Sequence, residues 1–266
     1  MNRKRRTIRT TIRSLLIRAL DTIENNNNFD FTANGERVFA ERSLELFRRR
    51  GRTPAIVFDV GANAGHYSRM LLDVADRKGV PLQLHAFEPA AACVDALQKR
   101  FANEPRVRLV PNAASNTNET LRLYFDEPGS ELASLCRRDL AEYGLELGSS
   151  EEVPAIRLDA YIEQQALAHV HFVKIDVEGH EVMVLEGLGR YLDPAFVDVV
   201  QFEYGGANLD SQTTLKQLFS AFTSRGFRIA KIMKNGLDVR EYEVWMENYR
   251  YSNYVALGAD LVGALP

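Results

Sequence analysis

The chain has 266 residues, of which 45% are hydrophobic, enough for one large α/β domain with a substantial core. We expect neither a membrane-spanning helix nor a signal peptide, because no run of about 18 apolar residues occurs and arginines interrupt the N-terminal apolar residues. Cys93 and Cys136 lack metal-ligand spacing and are typical of reduced thiols, which favours a cytoplasmic protein.

The net charge of −3 conceals an uneven distribution along the chain. Residues 1–20 contain seven Lys or Arg and no acidic residue, so the remainder has 26 basic against 36 acidic residues, a net charge of −10. Apolar residues recur every three or four positions over residues 1–24, which predicts an amphipathic helix. A second helix is predicted over residues 36–50, and we interpret residues 1–53 as a basic helical extension.

The first predicted helix has several interpretations that the sequence leaves open. It can pack on the domain or on a second subunit of a homo-oligomer, serve as a mitochondrial presequence, or bind an anionic membrane as a peripheral contact through residues 1–24. Nucleic acid is not expected as a partner, because no aromatic residue lies between the arginines to stack on bases.

Strands and helices alternate from residue 54 onward. Strands are predicted at residues 55–60, 83–88, 107–110, 172–177 and 197–204, and helices at residues 67–75, 90–101 and 180–190. This order predicts a parallel sheet with helices on both faces and a ligand at the carboxyl ends of its strands. After a helix at 213–225 and a strand at 227–233, Asn235-Gly236 predicts a hairpin, so strands at 237–245 and 251–257 are expected to be antiparallel. Residues 121–153 break the alternation and are interpreted as an insertion on the substrate side.

The loop after the first predicted strand has the properties of a ligand loop and reads VFDVGANAGHYS (residues 57–68). Gly61 and Gly65 allow backbone to approach a ligand closely, and Asn63 tolerates the left-handed region. The loop lacks the Gly-Lys-Ser/Thr end of a triphosphate loop and the Gly-x-Gly-x-x-Gly spacing of a dinucleotide loop. Asp59 would repel a pyrophosphate but attract the ammonium and sulfonium groups of S-adenosylmethionine. The structural alternative is a plain tight turn.

An acidic residue also ends the second predicted strand, in the sequence HAFEP. Glu88 is expected beside the glycine loop, where its carboxylate can accept hydrogen bonds from both hydroxyls of a ribose. The alternative is an ordinary surface acid before a proline turn.

A third group of polar residues lies in KIDVEGHE (residues 174–181), at the end of a later strand. We predict Asp176, Glu178 and His180 as catalytic residues, with His180 as the general base that deprotonates an acceptor hydroxyl. In the alternative that we favour less, Asp176, Glu178 and Glu203 hold Mg²⁺, which acidifies that hydroxyl. An acid here could also merely complement a helix N-terminus. The weaker candidates are His85, His169 and His171.

These motifs, with NAAS (residues 112–115), RLDAYI, FEYG and the longer run VKIDVEGHEVMVLEGL (residues 173–188), resemble those of the FkbM-type family of S-adenosylmethionine-dependent methyltransferases over about residues 55–257. The resemblance implies a Rossmann-like class I methyltransferase domain over residues 54–266, with a mostly parallel seven-stranded sheet whose last strand is antiparallel. It also implies that S-adenosylmethionine is bound by Asp59, Gly61, Ala62, Asn63, Gly65, Tyr67, Glu88, Pro89, Asn112, Ala113 and Asp176.

Known acceptors in that family are often hydroxyls, so the resemblance implies O-methylation of a sugar, glycan or natural product. Two alternatives belong to other classes. An NAD(P)-dependent oxidoreductase or sugar epimerase would need a Tyr-x-x-x-Lys pair or a true dinucleotide loop, and the chain has neither. A non-catalytic binding module that has kept the fold would have no need for the complete acidic motif.

Overall fold

The computed structural model of the protein describes residues 8–265, apart from the side chain of Glu142. Its helices are α1 (Ile8–Ile23), α2 (Glu36–Arg49), α3 (His66–Lys78), α4 (Ala91–Arg100), α5 (Leu158–Gln164), α6 (Glu181–Leu188), α7 (Gly206–Asp210) and α8 (Leu215–Thr223). The first seven positions of the helix predicted over residues 1–24 lie outside the described residues. None of the helices between residues 8 and 265 combines the length and apolarity that a membrane span requires.

The same part of the chain forms eleven strands. They are β1 (Ala55–Val60), β2 (Leu82–Phe87), β3 (Val107–Val110), β4 (Ala113–Ser115), β5 (Thr120–Phe125), β6 (Ser149–Arg157), β7 (Val170–Ile175), β8 (Val197–Tyr204), β9 (Arg228–Met233), β10 (Gly236–Arg240) and β11 (Ser252–Leu257).

Eight of these strands form the central sheet, in the order β10-β9-β11-β8-β7-β1-β2-β3. The strands β3, β2, β1, β7 and β8 are parallel to one another, whereas β11 is inserted antiparallel between β8 and β9. This confirms the predicted doubly wound sheet with a reversed last strand. The eighth strand, β10, extends the seven-stranded arrangement by pairing antiparallel with β9 at the edge.

The predicted and observed elements differ at several boundaries and turns, and the sequence patterns do not predict β4, β6, α5 or α7. The strand β7 covers 170–175, two residues before the predicted 172–177, so Asp176 lies in the loop beyond it. Met233 pairs with Gly236, which puts Lys234 and Asn235, and not Asn235 and Gly236, in the hairpin turn. The strand expected over 237–245 ends at Arg240, and residues 244–246 form a short 3-10 turn.

Apolar side chains cover both faces of the central sheet, because neighbouring residues of a strand point to opposite faces. Phe58 and Val173 belong to the core under α5, α6 and α8. Val57 and Phe172, one residue before each of them, belong to the core under α2 and α3. Burial on both faces explains why these strands read as continuous apolar runs.

A smaller sheet holds the segment that departs from the regular alternation. Its strand order is β4-β6-β5, with β6 parallel to β4 and antiparallel to β5. The predicted insertion over residues 121–153 therefore begins in β5 and ends in β6. Between the two strands the chain is largely irregular, with a short 3-10 helix at Ala141–Tyr143, and Tyr124 forms an isolated bridge with Ser134.

Candidate active site

A cavity of about 290 Å³ opens at the carboxyl ends of β1, β2, β7 and β8, where a doubly wound sheet binds its ligands. Ten residues expected at the site contribute to its wall: Gly61, Ala62, Asn63, Tyr67, Glu88, Pro89, Asn112, Ala113, Asp176 and Glu178. Three others, Asp59, Gly65 and His180, are not part of that wall.

The turn after β1 depends on the small size of Gly61. Its φ is +85°, and a Cβ added there would lie only 1.7 Å from the carbonyl oxygen of Asp176. The loop after β1 therefore passes directly against the end of β7. Asn63, with φ of +46°, then directs its backbone N–H to Glu88 Oε2 at 2.7 Å. Backbone groups of the loop and a carboxylate are thus held together at the cavity.

Gly65 has a different role from the one that we expected. A Cβ at this position would lie 2.7 Å from Leu97 Cδ2 and 2.7 Å from Phe101 Cε2. The residue therefore lets the N-terminus of α3 approach α4 closely, and the structure does not bring it to the cavity wall.

Asp59 is also placed away from the cavity wall. The residue is completely buried in β1, and its Oδ2 accepts a 2.6 Å hydrogen bond from Ser68 Oγ in α3. Burial raises the pKa of this carboxyl group, and the nearby Lys174 opposes the rise. The side chain lies under α3 because α3 covers this face of β1. Asp59 can affect the cavity through its charge but does not line it.

Glu88 is held by two backbone donors at the cavity. Besides the bond from Asn63, its Oε1 accepts a 2.8 Å hydrogen bond from the backbone N–H of Ala90. Each carboxylate oxygen still has a lone pair for a further donor. Burial raises the pKa of Glu88 to about 7. Pro89, Asn112 and Ala113 line the same region.

Three carboxylates converge on the opposite side of the cavity. Asp176, Glu178 and Glu203 offer oxygen atoms that lie within 4.8 Å of one another. Burial and the charge of Asp176 raise the pKa of Glu178 to about 8 and the pKa of Glu203 well above its ordinary value. Such a cluster favours a cationic ligand or a proton.

Each of the three carboxylates already has a strong partner. Lys174 Nζ lies 2.6 Å from Asp176 Oδ2, and Arg138 Nη1 lies 2.5 Å from Glu178 Oε2. Both basic side chains are more than nine-tenths buried, and Arg138 comes from the segment between β5 and β6. The third partner, the phenol of Tyr251, donates a 2.8 Å hydrogen bond to Glu203. Protein donors thus supply part of the compensation that a metal ion would otherwise give.

His180 faces away from these carboxylates. Its Nε2 lies 2.9 Å from Ser115 Oγ at the end of β4. Burial lowers the pKa of His180 to about 4. The residue precedes the first turn of α6, where its ring turns toward the small sheet and not into the cavity. The structure therefore does not place His180 where it can deprotonate an acceptor.

Of the other histidines, His66 at the start of α3 is exposed and lines the cavity, whereas His85, His169 and His171 lie away from the cavity wall. His85 Nδ1 lies 2.7 Å from the phenol oxygen of Tyr161, and both side chains are buried. His169 and His171 approach Asp198 near the start of β7 and β8, at the opposite end of these strands from the cavity. Asp198 also pairs with Arg52.

The N-terminal extension contributes residues that the sequence patterns did not identify. Phe29, Phe31 and Glu36 line the cavity together with Tyr251 from the region just before β11. Glu36 is buried and accepts hydrogen bonds from Gln201 Nε2 at 2.5 Å and from Asn253 Nδ2 at 3.1 Å. The boundary that we drew at residue 53 thus does not separate the extension from the site.

Comparisons with known proteins identify a family. Residues 59–229 match the family model described as "Methyltransferase FkbM domain". A curated relative, 31-O-demethyl-FK506 methyltransferase FkbM of Streptomyces tacrolimicus, is 28% identical over 177 residues. The match covers 58% of this chain and 65% of that protein, so the chain spans slightly less than two thirds of its relative.

Solved structures resemble the chain more distantly. The Methanococcus jannaschii fibrillarin pre-rRNA processing protein has a TM-score of 0.42 at 12% identity, covering 77% of this chain and 66% of that one. Precorrin-6y C5,15-methyltransferase of Geobacter metallireducens GS-15 has a TM-score of 0.42 at 11% identity, covering 84% and 87%. Likeness at this level says nothing about activity, and the strand order of the central sheet itself identifies the fold.

Proposed function

Because the chain belongs to the FkbM methyltransferase family, we propose that it transfers a methyl group from S-adenosylmethionine to a hydroxyl oxygen of a sugar, glycan or natural-product acceptor. The observation that supports the proposal is that two acidic sites face the same cavity. Glu88 lies on one side, and Asp176, Glu178 and Glu203 lie on the other. The relative from Streptomyces tacrolimicus is a 31-O-demethyl-FK506 methyltransferase, which supports oxygen as the acceptor atom.

The cavity residues fit the polar groups of S-adenosylmethionine. Glu88 retains acceptor capacity on both oxygens, which suits the two hydroxyls of a ribose. The backbone from Gly61 to Asn63 gives the ligand a surface without bulky side chains. The excess of carboxylates around Lys174 and Arg138 favours the ammonium and sulfonium charges. When bound, this cofactor supplies an electrophilic methyl group.

The residues of the chain must then deprotonate and orient the acceptor hydroxyl. We assign the general base to Glu203, because its hydrogen bond from a side chain of the described residues comes from a neutral phenol, whereas Asp176 and Glu178 each pair with a buried cation. With S-adenosylmethionine bound, the ionised form of Glu203 would accept the proton of the acceptor hydroxyl, and the methyl group would pass from sulfur to the acceptor oxygen, leaving S-adenosylhomocysteine with the electron pair of the broken C–S bond. Asp176 and Glu178 keep Lys174 and Arg138 in place, and Asp176 contributes negative charge beside the sulfonium. This version needs no metal ion.

The test is methyl transfer from labelled S-adenosylmethionine to a panel of monosaccharides, oligosaccharides and hydroxylated macrolides, with the product identified by mass spectrometry. We expect label on an oxygen atom and binding of S-adenosylhomocysteine but not NAD⁺ in calorimetry. Label on nitrogen or carbon would contradict O-methylation, and binding of NAD⁺ alone would favour an oxidoreductase. Activity in EDTA separates the two ways of activating the hydroxyl: abolition by EDTA and recovery with Mg²⁺ would assign the three carboxylates to a metal ion.

A further inference from the structure

The helix α1 contacts the rest of the protein through a polar residue in its last turn and leaves its apolar side exposed to solvent. Asp21 in its last turn accepts hydrogen bonds of 2.6 and 2.7 Å from Arg250 Nη1, which ties the helix to the segment before β11. The other half-buried positions, Thr10 and Ser14, share the face of Asp21, since they precede it by 11 and 7 residues, about three and two turns. This is the reverse of a helix that packs an apolar stripe on its own domain.

The opposite side of the helix, which we call the outer face of α1, carries large apolar residues at spacings of three and four. Their exposed fractions range from 44% at Leu20 to 81% at Ile8. The outer face consists of Ile8, Ile12, Leu15, Leu16, Leu20 and Ile23. A continuous apolar surface of this kind marks an interaction site and not an ordinary exposed helix.

The charges beside the outer face indicate what covers it. Arg9, Arg13 and Arg18 are exposed, whereas the single acidic residue of α1, Asp21, is already paired with Arg250. Residues 3–6 add four basic residues in the sequence, and the chain beyond residue 20 carries a net charge of −10. An anionic lipid surface complements both the apolar face and the arginines. A second copy of α1 would bring like charges together, and a nucleic acid would leave the apolar face uncovered.

Further exposed apolar side chains lie close to the end of α1. Glu24 pairs with Arg240 at 2.5 Å, and Arg240 lies over the ring of Trp245, which is 49% exposed. Trp is a residue that prefers the membrane–water interface. On the other side, Phe29 is 68% exposed and packs on Tyr251, with ring centroids 4.4 Å apart, at the wall of the cavity.

From these observations we propose that α1 lies in the interface of an anionic membrane, with its outer face in the lipid, and so holds the protein at the membrane surface. The proposal does not depend on the identity of the acceptor. It gives this member of the methyltransferase family a lipid partner. It also gives a reason why the exposed Phe29 lies in the segment that joins α1 to the cavity.

Flotation of the full chain with vesicles tests the proposal. Vesicles of phosphatidylcholine alone are compared with vesicles that also contain phosphatidylserine, at low and high salt. We expect binding to be about tenfold or more stronger on the anionic vesicles and to weaken with salt, because each nearby basic residue contributes to the attraction. Leu15→Glu/Leu16→Glu should abolish binding.

The matched control is Ala92→Glu/Gln98→Glu, which adds the same charge at exposed positions of α4, beside the opposite edge of the central sheet. This variant should float like the unchanged protein, and both variants should retain the same unfolding midpoint. The proposal fails if the anionic vesicles do not bind the protein, or if Leu15→Glu/Leu16→Glu binds as well as the control. It also fails if that variant instead converts a dimer into a monomer in sedimentation analysis while lipid binding is unchanged.

Discussion

The phenol of Tyr251 donates a 2.8 Å hydrogen bond to Glu203 Oε1, and the same phenol oxygen accepts a 3.1 Å hydrogen bond from Asn253. Asn253 also reaches Glu36 of the N-terminal extension at 3.1 Å. The proposed general base is therefore positioned by β11 and by a segment that precedes Asn253 by 217 residues. This arrangement explains why the extension is part of the site although it precedes the family match at residues 59–229.

Glu203→Gln tests the proposed base directly. We expect turnover to fall by ~10²–10⁴, the usual contribution of a general base, while affinity for S-adenosylhomocysteine stays nearly constant. Tyr251→Phe should lower turnover by less, about 10- to 100-fold, because it removes one hydrogen bond to a charged group worth about 1.5–3 kcal/mol. Steady-state kinetics and calorimetry measure the two quantities.

The control for the tyrosine is Tyr242→Phe, which removes a phenol bonded at 3.2 Å to Glu247, away from the cavity wall. It should leave turnover unchanged. Full activity of Glu203→Gln would exclude Glu203 as the base and would leave Asp176 and Glu178 as the candidate bases.

The variant His180→Ala tests whether His180 is the general base, as the sequence predicts, or lies outside the cavity, as the structure shows. If His180 were the base, its loss would lower turnover by ~10²–10⁴. Because its Nε2 faces Ser115 and it does not line the cavity, we expect less than about a tenfold change, together with a small loss of stability. A chemical step that slows by the larger factor in a folded variant would restore His180 to the mechanism.

The parts of the site that the sequence predicts are those that follow from local pattern and parallel-strand geometry. Gly61 and Glu88 each follow a strand, and adjacent parallel strands end at the same edge, so their proximity could be inferred. The role of Gly65 could not be inferred in this way, because it depends on Phe101 at the far end of another helix. Phe29 and Tyr251 reach the cavity only through long-range packing, which leaves no periodic signal in either segment.

Gly65→Ala should lower the free energy of unfolding, because the new methyl group clashes with α4. It should not remove a contact with the cofactor. The left-handed conformation at φ of +80° costs a non-glycine residue about 1–2 kcal/mol. The clash of the new Cβ with the Phe101 ring adds about 1–3 kcal/mol of overpacking. Gly79→Ala, at the other end of α3, is the matched control, because its φ is +62° and nothing lies within 4 Å of the added Cβ.

Urea unfolding of the two glycine variants isolates the packing effect as the difference between their free energies of unfolding. Equal destabilisation of Gly65→Ala and Gly79→Ala would mean that α3 and α4 move apart at little cost.

The pH dependence of cofactor binding tests Glu88. Burial raises its pKa to about 7, so the carboxylate is ionised above that pH and protonated below it. Ribose hydroxyls donate to the ionised form, and protonation also disturbs an oxygen that accepts from Asn63 or Ala90. Affinity for S-adenosylhomocysteine should therefore fall as the pH falls through about 7, by up to about tenfold per pH unit.

Glu88→Gln removes the titration and keeps the shape of the side chain. Its amide NH₂ must face one of the two backbone N–H donors, so affinity at pH 8 should drop by about 1.5–3 kcal/mol and should no longer depend on pH. The matched control is Glu151→Gln, whose carboxylate accepts a 3.3 Å hydrogen bond from the backbone of Ala91 near the same helix but does not line the cavity. Calorimetry between pH 6 and pH 8 should give the control the same curve as the unchanged protein. A pH dependence that persists in Glu88→Gln would assign the titrating group to another residue and remove Glu88 from ribose recognition.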